Sequence, residues 1–277
     1  MIKRLVSSFV GIALAIGVLF VSDTIIFNIA VSIISLTVTY ELLKANRCLD
    51  FKFQTGVCLG FAVSMPIAAQ NLSMELRYAF SLFCVFLLFC GMLRKHKKLS
   101  IEKLCYMIAV TILATLSLTC IVTLRGLSDV NGVCYVVLCL AGAWLGDAGA
   151  FFVGKRFGKH KLAPEISPKK TVEGAVGGVI TVGIVFVIYS FCYHLFMSNV
   201  LHTEVDPNYL LIAGIGLVCG ALGIVGDLSA SIIKRQTGIK DFGNIMPGHG
   251  GLMDRFDSVL FVAPFMSLVL GHIMIFN

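Results

Sequence analysis

Apolar residues run in long blocks that charges interrupt only at intervals. Windows with at most one charged residue cover residues 5–21, 24–40, 53–69, 78–93, 104–124, 133–153, 174–196, 209–228 and 259–276. Each is close to the ~20 residues that carry an α-helix across a hydrocarbon core. The pattern predicts an all-α, polytopic membrane protein of nine transmembrane helices. The first window follows Lys3 and Arg4 like a secretory signal, but Leu19-Phe20-Val21-Ser22 offers no small-residue cleavage site and another window follows at once. It reads as a retained first helix. No repeat, low-complexity tract or soluble domain interrupts the chain, so residues 1–277 are expected to form one transmembrane domain.

Composition agrees with this reading and narrows the function. Of 277 residues, 58% are hydrophobic and 13% charged, and the mean hydropathy is +0.94. A water-soluble enzyme is excluded. The net charge of +7 does not point to nucleic acid. With nine spans, all but Arg77 and Arg125 of the 22 lysines and arginines fall on the side of the N-terminus. The positive-inside rule then makes that side cytoplasmic and sends Asn277 to the other. The cluster from Arg94 to Lys103 is accounted for as a topology anchor beside anionic headgroups. Ten cysteines show no Cys-x-x-Cys pair and sit mostly in apolar runs, as small buried hydrophobes do.

Polar chemistry gathers in three segments on the inside face. In Gly226-Asp227-Leu228-Ser229-Ala230-Ser231-Ile232-Ile233-Lys234-Arg235, the i, i+4, i+7 spacing puts Asp227, Ser231 and Lys234 on one stripe if the eighth helix runs on. A carboxylate at membrane depth costs about 2.5 to 3.5 kcal/mol on insertion scales, so it is retained for function or paired with a cation. Pro247-Gly248-His249-Gly250-Gly251 cannot hold a regular helix cheaply. Its glycines let backbone N–H groups turn toward an anion, and a helix starting after Gly251 adds its positive end. Asp254 and Asp257, at i and i+3, would share a face of that helix and could share Mg²⁺. In Ser167-Pro168-Lys169-Lys170-Thr171-Val172-Glu173-Gly174, Thr171 can cap the seventh span with Glu173 in its first turn. Lys169 and Lys170 are either a topology anchor or, beside the other two segments, a phosphate site.

Asp147 lies within the sixth span, where it either pairs with a loop cation or completes the polar site. Gly149 to Lys155 matches most of a P-loop, but Arg156 stands where Ser or Thr should ligate magnesium, so a Walker-type ATPase is rejected. Of the histidines, only His249 has a context that suggests work.

The run Ser231-x₂-Lys234-Arg235-x₄-Lys240-Asp241-x-Gly243-x₂-Met246-Pro247-x-His249-Gly250-Gly251-x₂-Asp254-Arg255-x-Asp257 resembles the signature of the phosphatidate cytidylyltransferases, or CDP-diacylglycerol synthases. Ser167 to Gly174 is similar to the bacterial members, and the likeness extends from about Asp147 to the C-terminus. Two departures stand out: Met246, where Leu, Ile or Phe is expected, and Phe151, where many relatives have Tyr. The first 130 residues would then be N-terminal helices and 131–277 the catalytic helices and loops.

The resemblance implies an enzyme of the bacterial inner membrane that joins CTP and phosphatidic acid into CDP-diacylglycerol, releasing pyrophosphate, with its site at the cytoplasmic leaflet. It implies Mg²⁺, with K⁺ as a second cation. Its catalytic set would be Asp227, Asp254, Asp257, Lys234, Arg235 and Arg255. Substrate contacts would come from Lys169, Lys170, Glu173, Ser231, Lys240, His249, Gly250 and Gly251, and metal contacts from Asp227, Asp254, Asp257 and Ser231. The partners expected are the two substrates, membrane lipid and at most a second copy of the chain, with no nucleic acid.

Two other classes fit less well. The D-x₂-D-G-x₂-A-R and D-x₃-D patterns of intramembrane transferases acting on CDP-alcohols or prenyl diphosphates are not found. A transporter coupled through Asp147 and Asp227 would place ionisable residues near the midplane and show paired halves.

Overall fold

A computed structural model of the chain describes residues 11, 13, 15–95, 97–203, 205–245 and 250–276. The helices are α1 (Ile25–Ala45), α2 (Lys52–Ala68), α3 (Met74–Lys95), α4 (Ile101–Gly126), α5 (Gly132–Phe157), α6 (Val172–Val200), α7 (Tyr209–Thr237), α8 (Met253–Phe256) and α9 (Val259–Leu270). Eight of the nine predicted windows overlap helices, and of the first only residues 11, 13 and 15–21 are described, helical at 11, 13 and 15–20. Six of the described helices (α1, α3, α4, α5, α6 and α7) are long and apolar enough to cross a membrane.

Two expectations need correcting. The chain is mostly helical but not all-α, because β1 (Lys161–Ala163) and β2 (Ser167–Thr171) form an antiparallel hairpin pairing Lys161 with Thr171 and Ala163 with Ser167. The hairpin turns around Pro164 and Glu165, and Pro168 sits in a two-stranded ribbon where its missing N–H is tolerated. The ninth window is helical only to Leu270. Twelve residues rise about 18 Å, short of the ~30 Å hydrocarbon core. Beyond Gly271 the chain is irregular and ends with Phe276 bridged to Pro207, just before α7.

The chain falls into two compact units, residues 1–123 with 234–256, and residues 124–233 with 257–277. In the first, α1 packs on α2 and α2 on α3, around Val38, Leu42, Cys58, Ala62 and Met65. The Tyr106 hydroxyl of α4 donates to the Leu42 carbonyl at 2.8 Å. The short α8 packs on α1.

In the second unit, α5 and α6 pack along a seam of small residues. A Cβ at Gly178 would sit 2.7 Å from the Gly146 carbonyl oxygen, and one at Gly174 would sit 2.7 Å from that of Ala150. The α7 backbone is equally close, for a Cβ at Gly220 would meet the Val179 Cα at 2.8 Å. Apolar helices in lipid gain little from burial against each other, so close backbone packing at small residues must hold them. That closeness brings polar groups on α5, α7 and the hairpin within reach of one another. All ten cysteines are free thiols, as their spacing suggested.

Candidate functional site

In the second unit β2 runs directly into α6, and Thr171 is the N-cap as expected. The Gly174 N–H donates to its Oγ1 at 3.2 Å, and Glu173 lies in the first turn. This cap fixes where Lys170, one residue earlier, leaves the hairpin. Its ammonium contacts the Asp227 carboxylate of α7 and lies 3.9 Å from Asp147 Oδ1 of α5. Both open alternatives for Asp147 are therefore met: it approaches a loop lysine, and it joins the polar site.

A cavity of about 280 Å³ opens beside this group. Asp147, Lys155, Lys169 and Lys170 give it a charged rim, while Ala150, Phe151, Leu162 and Ile224 line it with apolar surface. Lys170 is partly covered, and the Asp147 side chain is 53% exposed. Three lysines around an amphipathic cavity at the end of membrane helices suit a phosphate that carries an apolar tail.

The same donors fit a hard divalent cation. Asp147 and Asp227 flank one ammonium, an all-oxygen pair of the kind Mg²⁺ takes together with substrate phosphates. Lys170 stands where such a cation would. Among the described residues no three His, Cys, Asp or Glu side chains converge. Ser231 follows Asp227 by one turn of α7 and is half-buried.

Glu173 is turned to a different use. Its carboxylate accepts the N–H groups of Lys159, at 3.0 Å, and His160, at 3.2 Å, and lies 2.6 Å from His160 Nδ1. It ties the turn before β1 to the start of α6. Asp257 is buried and accepts the N–H of Ser258 at 2.7 Å. The helix face it was expected to share with Asp254 does not form, because α8 ends at Phe256.

The described part of the signature loop lies in the first unit, and there the N–H of one glycine, Gly251, turns toward an anion, as do those of Phe242, Leu252 and Met253. Those anions belong to the chain. Asp254 Oδ2 accepts the N–H groups of Phe242 and Gly251, both at 3.0 Å, and its Oδ1 accepts Lys234 Nζ at 2.8 Å. Gly250 has φ +86°, which only glycine adopts without strain. The Lys234–Asp254 pair is well covered, with side-chain exposures of 17% and 7%. Lys234 and Asp227 lie on one continuous helix, as the stripe predicted, but they serve different partners. Arg235, Lys240 and Arg255 are exposed, and His249 lies outside the described residues.

Two residues passed over in the sequence contribute to these sites. Lys155, which appeared only in a rejected P-loop, lines the cavity. Glu41 of α1 touches the signature loop. It directly follows a charge-free window, and a lone acid before Lys44 and Arg47 was the available signal.

A model of the cytidylyltransferase family matches residues 2–273, nearly the whole chain. The chain belongs to this family. A protein named phosphatidate cytidylyltransferase in Bacillus subtilis (strain 168) is 42% identical over 143 residues, which are 52% of this chain and 49% of the relative. One of the same name in Staphylococcus aureus (strain COL) is 40% identical over 141 residues, half of each chain. One in Staphylococcus saprophyticus is 41% identical over 145 residues, covering 52% of this chain and 51% of the relative. The chain thus spans about half the length of the curated relatives it matches. Family membership also accounts for why the signature loop and the lysine pair before α6 occur in one chain.

Proposed function

We propose that this chain transfers CMP from CTP to phosphatidic acid, giving CDP-diacylglycerol and pyrophosphate, at the cytoplasmic leaflet of a bacterial inner membrane. The observation that carries the reading is the cavity in the second unit. It joins three lysines and the Asp147 carboxylate to an apolar wall, with Asp227 against one of those lysines, Lys170, in a cytidylyltransferase chain with helices long enough to cross a bilayer. CTP is confined to the cytoplasm and the acyl chains to the bilayer, so the site must open to both.

In the proposed reaction a phosphate oxygen of phosphatidate attacks the α-phosphorus of CTP in line. The new P–O bond forms as the bond to the β-phosphate oxygen breaks, and pyrophosphate leaves with that electron pair. Phosphatidate is already an anion at neutral pH, so no general base is required. Catalysis is then positioning and charge neutralisation. Lys169 and Lys170 hold the lipid phosphate, with Lys155 on the opposite rim. Asp147 and Asp227 would hold Mg²⁺, with Ser231 as a neutral oxygen nearby. When bound, that cation neutralises charge developing on the nucleotide phosphates. Phe151 and Ile224 exclude water from the apolar side.

The test is purified full-length protein in detergent with labelled CTP, phosphatidate and Mg²⁺. The expected product is labelled CDP-diacylglycerol with stoichiometric pyrophosphate. Folded protein that forms none in several detergents would overturn the reading.

A further inference from the structure

The carboxylate of Glu41 is the most enclosed acid among the described residues, at 2% exposure, and it comes from the part of the chain that carries no motif. It lies five residues from the end of α1 and faces the start of α8. Leu252 N–H donates to its Oε1 at 3.1 Å and Met253 N–H to its Oε2 at 2.7 Å. These are the donors a helix start leaves without an internal partner. The same oxygens fill the space beside two glycines of the loop. A Cβ at Gly251 would lie 2.6 Å from both Oε2 and the Gly243 backbone nitrogen, and the three atoms nearest to one at Gly243 would all belong to the Glu41 side chain.

Asp254, two residues beyond the first clamped N–H, reaches back to Phe242 and Gly251. The loop is thus held by two acids, one its own and one from α1. Asp254 is in the signature and Glu41 is not. Burying a carboxylate costs several kcal/mol unless its oxygens find donors, and here two backbone N–H groups meet it.

We infer that Glu41 is a positioning residue: it clamps the start of α8 and sets the glycine loop, so that α1 forms a working part of the active machinery rather than a lipid anchor. The inference rests on the proposed transferase reading for its catalytic consequence, but not for the clamp itself. At Gly243 the Glu41 carboxylate occupies the room a side chain would need, and at Gly251 the carboxylate and the Gly243 backbone occupy it together.

Two independent readouts test it on full-length protein in detergent. Hydrogen exchange reads the clamp without any turnover: in Glu41→Gln the Leu252 and Met253 amides should exchange at least about tenfold faster, a lost charge-assisted bond being worth that much or more, while α5 and α6 keep their protection. Unchanged exchange at both amides overturns the inference, whether or not the wild type makes CDP-diacylglycerol. In turnover, kcat should fall on the order of a hundredfold with KM for CTP nearly unchanged, as expected when a group is displaced by about 1 Å. Wild-type kcat despite faster exchange would reduce Glu41 to local structure and also overturn it. Gly243→Ala supplies a second route that leaves the acid in place. It should reproduce the exchange defect in the wild type and add nothing further in a Glu41→Ala background, because the three atoms nearest to its added methyl all belong to Glu41. Additive defects would show that the glycine is constrained by something else.

Discussion

Two lysine–aspartate contacts, one in each unit, use the same side chains to opposite ends. Lys170 sits between Asp147 and Asp227 at a cavity, with side-chain exposures of 23% for the lysine, 20% for Asp227 and 53% for Asp147. Lys234 meets Asp254 in a closed setting, where backbone N–H groups of Phe242 and Gly251 take the carboxylate's second oxygen. An ionised carboxylate has about four acceptor positions, and Asp254 has already filled three. The first arrangement can exchange its ammonium for a ligand or a cation at little structural cost. The second cannot let go without undoing the loop it holds. Residue type and spacing name the participants; the number of donors already engaged separates a site that binds from one that supports.

The comparison breaks most visibly at Asp227. Asp227→Asn should lower CDP-diacylglycerol formation on the order of a thousandfold, the cost typical of losing a charged group aimed at a transition state, while thermal unfolding in detergent stays close to wild type. A large fall in stability with modest loss of turnover would move Asp227 into the supporting class. Lys234→Ala should do the reverse. Stranding a covered carboxylate costs about 3 kcal/mol, read as a lower unfolding temperature, and Lys234→Arg should recover part of it. The smallest effect is expected at the hairpin junction. Thr171→Ala removes an N-cap worth about 1 kcal/mol, and the accompanying shift of Lys170 should raise KM for phosphatidate more than it lowers kcat. An unchanged KM would separate the cap from the cavity.

Much of the helical frame was legible because lipid imposes a simple rule. Backbone polar groups must be satisfied within each crossing segment, so long apolar runs without charge have to be helices. Their ends were less legible. α7 continues nine residues past the window that ended at Leu228, because an amphipathic turn bearing Lys234 and Arg235 can leave the apolar zone without breaking its hydrogen bonds. The hairpin at residues 161–171 was hidden for a different reason. Two strands of three and five residues, with two prolines and several lysines, carry no alternation to detect. The last segment is apolar throughout, which fixes its environment but not its conformation, and Pro264 together with the early stop at Leu270 leaves it only partly helical.

The candidate site was legible in the same uneven way. Asp227, Lys170 and the glycine loop announced themselves by placing charge and conformational freedom where a membrane protein otherwise avoids both. Glu41 gave no such sign, since its partners are backbone N–H groups 211 and 212 residues away, and no local pattern encodes a contact of that range. Asp147 was visible, but its partner was not, because the pairing depends on the close approach of α5 and α6 along their glycines.

Chemical protection of lysines tests the contrast between the two contacts in a single experiment. The full-length protein in detergent is treated with an amine-acylating reagent, with and without phosphatidate, and modification is read lysine by lysine by mass spectrometry. Lys170 should be modified in the free protein and protected by the lipid phosphate, while Lys234 stays unmodified in both samples. Equal modification of Lys170 with and without phosphatidate, or phosphatidate-dependent protection at Lys234 instead, would contradict the division between an open binding contact and a closed supporting one.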